Sequence, residues 1–212
     1  TLKNSSEEIS SKSGRECFYV QGDITSENDR KRILSYSTSK IGSIDILVTN
    51  SGGPKPGNFD DHDNEDWSDA YSLLIESTVS MIRGVLPDMK ERNWGRIITI
   101  TSQAVKQPVE GLILSNSVRS AILGLVKTLS IELGKYNITV NNVLPGYTLT
   151  DRLENLIRQR GTSLENISVN VPLKRVGLPN EFAAAVAFLA SEKASYITGI
   201  SLPIDGGWIK GI

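Results

Sequence analysis

Short runs of β-branched and aliphatic residues alternate along the chain with longer stretches whose apolar residues recur every three or four positions. The short runs have the length and composition of buried strands, and the longer stretches have the period of amphipathic helices. Their alternation is typical of a mostly parallel sheet that helices cover on both faces. The pattern therefore predicts an α/β fold with a doubly wound parallel sheet in a single domain.

The hydrophobic pattern also predicts where the elements lie. After an opening helical segment, the predicted strands are Glu16–Gln21, Asp45–Asn50, Arg96–Thr101, Thr139–Leu144 and Gly199–Asp205. The predicted helices are Glu27–Ile41, Glu65–Glu91, Leu112–Gly134, Asp151–Arg160 and Asn180–Ser191. Ser26 is a candidate N-cap for the first of these helices, and Gly134 is expected to close the third.

Composition and charge narrow the function classes. The 212 residues carry a formal net charge of −1 and suit one compact domain. Positive and negative side chains are interspersed, so nucleic acid and anionic membranes are not expected partners. The apolar runs of the chain are all too short to cross a bilayer. One cysteine, Cys17, cannot form an internal disulfide, and a reducing cytoplasmic setting is expected. The one histidine, His62, is expected to be an exposed loop residue, and no metal site is predicted.

Short polar and glycine-containing motifs separate the predicted elements. In chain order they are Gly22-Asp23-Ile24-Thr25, Asn50-Ser51-Gly52, Asn141-Asn142-Val143-Leu144-Pro145-Gly146 with Thr150, Arg175-Val176-Gly177-Leu178-Pro179, and Tyr196-Ile197-Thr198-Gly199 with Ile204-Asp205-Gly206-Gly207-Trp208. Each motif alone is a weak signal. Together, in order and spacing from Cys17 to Trp208, they resemble the short-chain dehydrogenase/reductase family, especially its 3-oxoacyl-carrier-protein reductase-like branch.

The resemblance implies a Rossmann-type fold and an NAD(P)-dependent oxidoreductase acting on a small-molecule substrate. Asn50 and its neighbours would follow the adenosine ribose, Asp23 would face the adenine, and Thr150 would reach the nicotinamide amide or the pyrophosphate. The residues that it assigns to the cofactor are Asp23, Ile24, Asn50, Ser51, Gly52, Pro145, Gly146 and Thr150. Two alternatives stay open: an ordinary strand-to-loop turn at Asn50 and a helix cap at Asp23.

The catalytic positions depart from the family pattern. The family expects a Tyr where this chain has Ser115, a Lys where it has Arg119, and an Asn where it has Leu74; only the Ser is kept, as Ser102. An aliphatic hydroxyl is a far weaker acid than a phenol, and arginine stays protonated. The ordinary Tyr/Lys proton transfer is therefore not available, although Ser102, Ser115 and Arg119 remain the candidate catalytic residues.

Another side chain could supply the proton. Tyr147 directly follows Pro145-Gly146, and Lys106 lies four residues beyond Ser102. Our hypothesis is that Tyr147 or Lys106 takes this role. The alternative is that Tyr147 only packs against its surroundings and that Lys106 is solvated.

The resemblance also places the predicted strand Glu16–Gln21 third in a sheet ordered 3-2-1-4-5-6-7. Two strands would then lie between it and Asp45–Asn50, because a gap in a parallel sheet leaves N–H and C=O groups unpaired. We therefore expect these residues to be a fragment that lacks an N-terminal βαβ unit of about 40 residues. The glycine-rich turn for the pyrophosphate and the residue that selects NAD or NADP would belong to that unit, so the choice of cofactor stays open.

Two function classes follow. The first is an oxidoreductase that acts on a carbonyl or alcohol, such as a 3-oxoacyl thioester or a sugar. The second is a catalytically impaired family member that binds nucleotide or serves as an oligomeric scaffold. The resemblance implies a four-helix dimer contact, which the apolar faces on Trp67–Met89 and Leu112–Leu133 suit, and a second contact through the C-terminal motif; a homotetramer is expected, with a homodimer next.

Overall fold

Four parallel strands form the sheet in the computed structural model, which describes residues 1–211, the side chains of Gln159 and Arg160 excepted. The strands are β1 (Ile46–Asn50), β2 (Gly95–Ile100), β3 (Ile138–Pro145) and β4 (Ser201–Ile204), and they lie side by side in that order. In register, Leu47 pairs with Ile97, Ile97 with Val140, and Val143 with Leu202. The predicted parallel α/β sheet is confirmed.

Helices connect and flank these strands. They are α1 (Leu2–Ser13), α2 (Glu27–Ile41), α3 (Asn64–Tyr71), α4 (Ser77–Glu91), α5 (Ile113–Val118), α6 (Ala121–Leu133), α7 (Asp151–Arg160), α8 (Leu164–Val169) and α9 (Pro179–Ala190). Ser26 caps α2 as predicted, because its side chain accepts a hydrogen bond from the Asp29 N–H. The long predicted helix Glu65–Glu91 is continuous but contains one π-helical turn, Ser72–Glu76, between α3 and α4. No helix of the described chain is long and apolar enough to span a membrane.

Gly134 is the C-cap of α6, as predicted, but its backbone is right-handed and a 3₁₀ turn follows; the left-handed residue that ends this turn is Asn137, at φ 55°. One predicted strand is wrong. Glu16–Gln21 is not a strand but irregular backbone. A strand forms only where a neighbour completes its hydrogen-bond ladder, and these residues pair with no strand in the described structure.

The outer edge of β1 has no strand beside it among residues 1–211. Ile46 and Val48, which are apolar residues of this strand, are 44% and 41% exposed. The other three strands form a better buried sheet, and β3 is buried over Ile138–Leu144. The absence of an N-terminal βαβ unit stays a prediction.

Apolar residues cover both faces of the sheet. On one face, side chains of β1, β2 and β3 pack against α4 and α6 in a cluster that includes Ile97, Val140, Met89 and Val126. On the other face, Ile98 and Val143 pack against Leu189 of α9 and neighbouring residues. The side chains of adjacent residues in one strand thus pack on opposite faces of the sheet. Because both faces are covered, the buried strands are continuous apolar runs in the sequence.

Buried arginines link the layers. The Arg30 side chain is 2% exposed and forms an ion pair with Glu76 at 2.8 Å, which joins α2 to the π-helical turn. Arg96 of β2 is fully buried, lies 3.3 Å from Glu192, and packs on the Trp94 ring. Both guanidinium groups are therefore neutralised by a carboxylate, as buried charges require.

Candidate functional site

The polar motifs converge at one edge of the sheet. β1 ends at Asn50, β2 at Ile100 and β3 at Pro145, and parallel strands place these carboxyl ends side by side. The segments that follow the strands therefore border a common cleft. In open α/β sheets this is the edge at which ligands bind.

Two serines lie on neighbouring elements at this edge. Ser102 follows β2, and its Oγ accepts a hydrogen bond from the Ala104 N–H at 3.1 Å, which starts a 3₁₀ turn at Gln103. Ser115 is 7% exposed and belongs to α5, which packs against that turn. Both hydroxyl groups are therefore held on ordered backbone, and Ser102 is the more exposed residue.

Arg119 reaches the same edge from the end of α5. Its Nη2 donates a hydrogen bond of 2.6 Å to the Gly52 carbonyl, directly after Asn50-Ser51. Burial and, to a smaller extent, the positive charge of Arg152 together lower the pKa of Arg119 to about 10. With this pKa the guanidinium is protonated at neutral pH, so it can supply a charge and hydrogen bonds but no proton relay.

Arg152 was not a predicted site residue, yet its side chain lies in the cleft. A Cβ atom built on Gly53 would be 1.9 Å from Arg152 Nη2 and 2.6 Å from its Cζ, so the guanidinium rests on the Gly53 backbone. The sequence signal was weak, because Arg152 stands two residues after the Thr150 motif in a helix rich in charged residues. Only the fold brings it to Gly53.

Leu74 is the residue predicted to stand where the family pattern expects Asn. Its side chain is 2% exposed and lies in the π-helical turn, where the Leu74 carbonyl accepts a hydrogen bond from Thr78 Oγ1 at 2.9 Å. An isolated π turn inside an α-helix is common at functional sites. Here, however, the side chain of Leu74 belongs to the buried interior and provides no polar group.

Asp23 and Ile24 lie before α2 beside an open depression bordered by Gln21, Gly22, Asp29 and Arg32. One Asp23 oxygen accepts hydrogen bonds from the Thr25 N–H and Oγ1, which lower the pKa of this carboxyl. Ser26 is the residue that caps α2, so Asp23 stabilises the preceding turn and does not cap the helix itself. Its role toward adenine stays a prediction.

The residues after β3 form a tight turn. Gly146 donates its N–H to the Ile204 carbonyl, and a Cβ atom at this position would lie 2.5 Å from Asp205 Cα. Pro145 ends β3, and Thr150 caps α7 by accepting a hydrogen bond from the Leu153 N–H. The turn thus holds the start of α7, which carries Arg152, at the edge of the cleft.

Tyr147 and Lys106, the two candidate proton donors, have different environments. Tyr147 packs edge-on against Trp208, with ring centroids 6.0 Å apart, whereas Lys106 is exposed. Neither observation tests the hypothesis that one of them supplies a proton.

The expectation of an exposed His62 is wrong, because its side chain is only 2% exposed. Its Nδ1 lies 3.2 Å from an oxygen of Asp66, a carboxylate that also pairs with Lys55. The acidic neighbours in sequence suggested a solvated loop, but the short turn before α3 folds the imidazole inward.

Known proteins are similar to this chain in sequence and in fold. A family model described as enoyl-(acyl carrier protein) reductase matches residues 1–209. The NADPH-dependent reductase BacG of Bacillus subtilis is 35% identical over 201 residues, which cover 91% of this chain and 78% of that protein. The 7alpha-hydroxysteroid dehydrogenase of Escherichia coli K12 is 34% identical over 197 residues, covering 93% of this chain and 76% of the relative.

Solved structures agree with this relationship. YwfH, an NADPH-dependent reductase involved in bacilysin biosynthesis, superimposes with a TM-score of 0.95 at 32% identity, covering all of this chain and 85% of that one. L-sorbose reductase from Gluconobacter frateurii, solved with NADPH and L-sorbose, gives a TM-score of 0.92 at 29% identity and covers 84% of its own chain. The chain therefore belongs to the short-chain dehydrogenase/reductase family.

Proposed function

We propose that this protein is an NAD(P)H-dependent reductase that acts on a carbonyl group or, in the reverse direction, on an alcohol. The observation that carries the proposal is the hydrogen bond from Arg119 to Gly52 at the carboxyl edge of the sheet, where α5, which contains Ser115, packs against the turn that Ser102 starts. The relatives named as NADPH-dependent reductase and hydroxysteroid dehydrogenase support it.

The residues at this edge fit a dinucleotide. A Cβ built on Gly52 meets no atom within 4 Å, so the backbone there is open to close approach by a ligand. Asn50, Ser51 and Gly52 would hold the ribose, Asp23 and Ile24 the adenine, and Pro145, Gly146 and Thr150 the nicotinamide end. When bound, the nicotinamide supplies the hydride.

The chain's own groups would act on the substrate oxygen. Ser102 would donate a hydrogen bond to an oxygen that gains negative charge, and Arg119 would add a fixed positive charge at the same edge of the sheet. Ser115 retains a hydroxyl but not the acidity of a phenol. The proton therefore reaches the product by a route other than a Tyr/Lys pair, and Tyr147 and Lys106 remain its candidate donors.

The substrate is proposed at the level of class. A 3-oxoacyl thioester shares the acyl thioester named in the description of the matching family model, although an enoyl group has no 3-oxo carbonyl, and a sugar agrees with the relationship to L-sorbose reductase. The single cysteine and the absence of a membrane-spanning helix among the described residues support the expected cytoplasmic setting. We also propose a homotetramer or homodimer, supported by the exposed face of α6 considered in the Discussion.

A titration with NADH and with NADPH tests the proposal. Trp208 contacts Tyr147, which directly follows the Pro145-Gly146 turn, so binding at the nicotinamide end is expected to quench tryptophan fluorescence. We expect saturable binding in the micromolar range and a preference for one of the two nucleotides. Folded protein that binds neither nucleotide would contradict the proposed reductase and favour the scaffold role.

A further inference from the structure

Arg119 differs from the other buried arginines of the described chain. Arg30, Arg96 and Arg119 are 2%, 0% and 5% exposed. The first two each have a carboxylate within ion-pair distance, but Arg119 has none among residues 1–211. The charged group that acts on it is another cation, Arg152.

The two guanidinium groups meet at consecutive peptide units. Arg119 donates to the Gly52 carbonyl at 2.6 Å, and Arg152 rests on the Gly53 backbone, where it takes the space of a side chain. Within the described residues, Arg152 forms no ion pair with a carboxylate either. Two positive charges therefore lie together at the cleft without a compensating negative charge.

Such an arrangement raises the free energy of the ligand-free protein. Burial of one guanidinium removes hydration, and the second adds repulsion. A bound anion would reverse both effects, and the planar, multi-donor guanidinium group suits carboxylate and phosphate oxygens. The Gly52 carbonyl engages only one of the donors of Arg119, so others remain for a ligand.

We propose that Arg119 and Arg152 form a binding site for an oxyanion group, a phosphate or a carboxylate. The inference rests on the proposed function, because the two sources of such a group are the diphosphate of the nicotinamide dinucleotide and a carboxylate of the substrate. Arg119 follows Ser115 by one helical turn, and its N–H donates to the Ser115 carbonyl at 3.2 Å. The anion would therefore sit close to the candidate catalytic hydroxyl.

Binding of inorganic diphosphate to the nucleotide-free protein tests the site directly. We would compare wild type with Arg152→Met and with Arg158→Met, a matched control on the same helix whose side chain is exposed and bonds to Asn155. Dissociation constants come from the dependence of Tm on diphosphate concentration. We expect Arg152→Met to weaken binding at least tenfold and Arg158→Met to stay within twofold of wild type. Equal affinities in the two variants, or no binding by folded wild type, would overturn the proposal.

Two further measurements identify the source of the anion. A tenfold loss of NADPH affinity in Arg152→Met assigns the site to the dinucleotide diphosphate. Unchanged NADPH affinity, with displacement of diphosphate by 2-oxobutanoate but not by butanone, assigns it to a substrate carboxylate. Unchanged NADPH affinity without displacement by 2-oxobutanoate would contradict both proposed sources of the anion, although loss of diphosphate binding in Arg152→Met would still support the anion site itself.

The same measurements separate this inference from the proposed function. Protein that binds diphosphate through Arg152 but binds neither NADH nor NADPH would contradict the reductase and support the anion site. If wild type, Arg152→Met and Arg158→Met all bind NADPH equally but none of them binds diphosphate, the result would support the reductase and contradict the anion site.

Discussion

Two glycines at the carboxyl edge of the sheet have opposite surroundings. Gly52 faces open space, whereas Gly146 lies against the Asp205 backbone, 2.5 Å from where its Cβ would be. Both stand in motifs that the family resemblance assigns to the cofactor. At Gly52 the space that a side chain would occupy is empty and could be used by a ligand. At Gly146 the Asp205 backbone already occupies that space.

Gly52→Ala should therefore lower nucleotide affinity, whereas Gly146→Ala should lower the stability of the fold. We expect Gly52→Ala to keep the wild-type free energy of unfolding within about 0.5 kcal/mol and to weaken NAD(P)H binding about tenfold. Gly146→Ala should lose roughly 1–3 kcal/mol of stability, because the backbone of β3 or of Asp205 must shift. Urea denaturation and nucleotide titration measure the two quantities. Normal nucleotide affinity in Gly52→Ala would contradict the assignment of this turn to the cofactor.

At the scale of elements, α9 shows how one side chain starts a helix. Glu181, in its first turn, accepts a hydrogen bond from the Leu178 N–H at 2.8 Å and two from Arg175 at 2.7 Å each. The Arg175 hydrogen bond, followed by that from Leu178, lowers the pKa of the Glu181 carboxyl to about 2. The ionised form is thus favoured in the folded protein, and it holds the loop before α9 to the helix.

This contact predicts a pH-dependent contribution to stability. Because the folded pKa lies below the ordinary value of 4.5, the contribution is complete above about pH 4.5 and is lost as the pH falls toward 2. Glu181→Gln should therefore lower Tm at pH 7, and its difference from wild type should shrink as the pH falls through this window. Glu165→Gln, at an exposed position in α8, serves as the control. A Tm difference for Glu181→Gln that does not change with pH would contradict the ion pair.

At the scale of the whole molecule, α6 leaves one face uncovered. Ala121, Gly124, Thr128 and Ile131 recur at three- and four-residue spacing and are all exposed, with Ile131 75% exposed. Small residues at this spacing permit close approach of a second helix. The apolar residues of Leu112–Leu133, which the sequence predicts to form one face, therefore lie on two faces in the structure. One face packs against the sheet and the other is exposed to solvent.

Thr128→Arg should disrupt the proposed assembly. A long charged side chain in the middle of this face would be buried without a partner if another subunit packs there. We expect light scattering with size-exclusion chromatography to give a dimer or tetramer for wild type and a smaller species for Thr128→Arg. Thr38→Arg, the same change on the exposed face of α2, should keep the wild-type mass. An unchanged mass for Thr128→Arg would place the contact elsewhere.

Local sequence signals predicted most elements within a few residues. The Ser26 cap, the strand before Asn50 and the helix Asp151–Arg160 are read from neighbours along the chain, and the structure has them there. Errors arose where strand pairing or side-chain burial in the folded chain decides the outcome. Glu16–Gln21 has the composition of a strand, but a strand requires a neighbour. His62 lies among acidic residues, but its turn buries the side chain against Asp66.

The sequence by itself determined the fold class and the family, because hydrophobic period and ordered motifs depend on residues close in the chain. It also led to the prediction that Ser115 and Arg119 stand at the positions of the family's Tyr and Lys, and with those residues the ordinary Tyr/Lys proton transfer would not be available. Only the tertiary structure decided that Arg152 joins Arg119 at Gly52-Gly53 with no carboxylate between them in the described chain. Charges interact through space, and residues 33 positions apart meet only once α5 and α7 are packed at the same edge of the sheet.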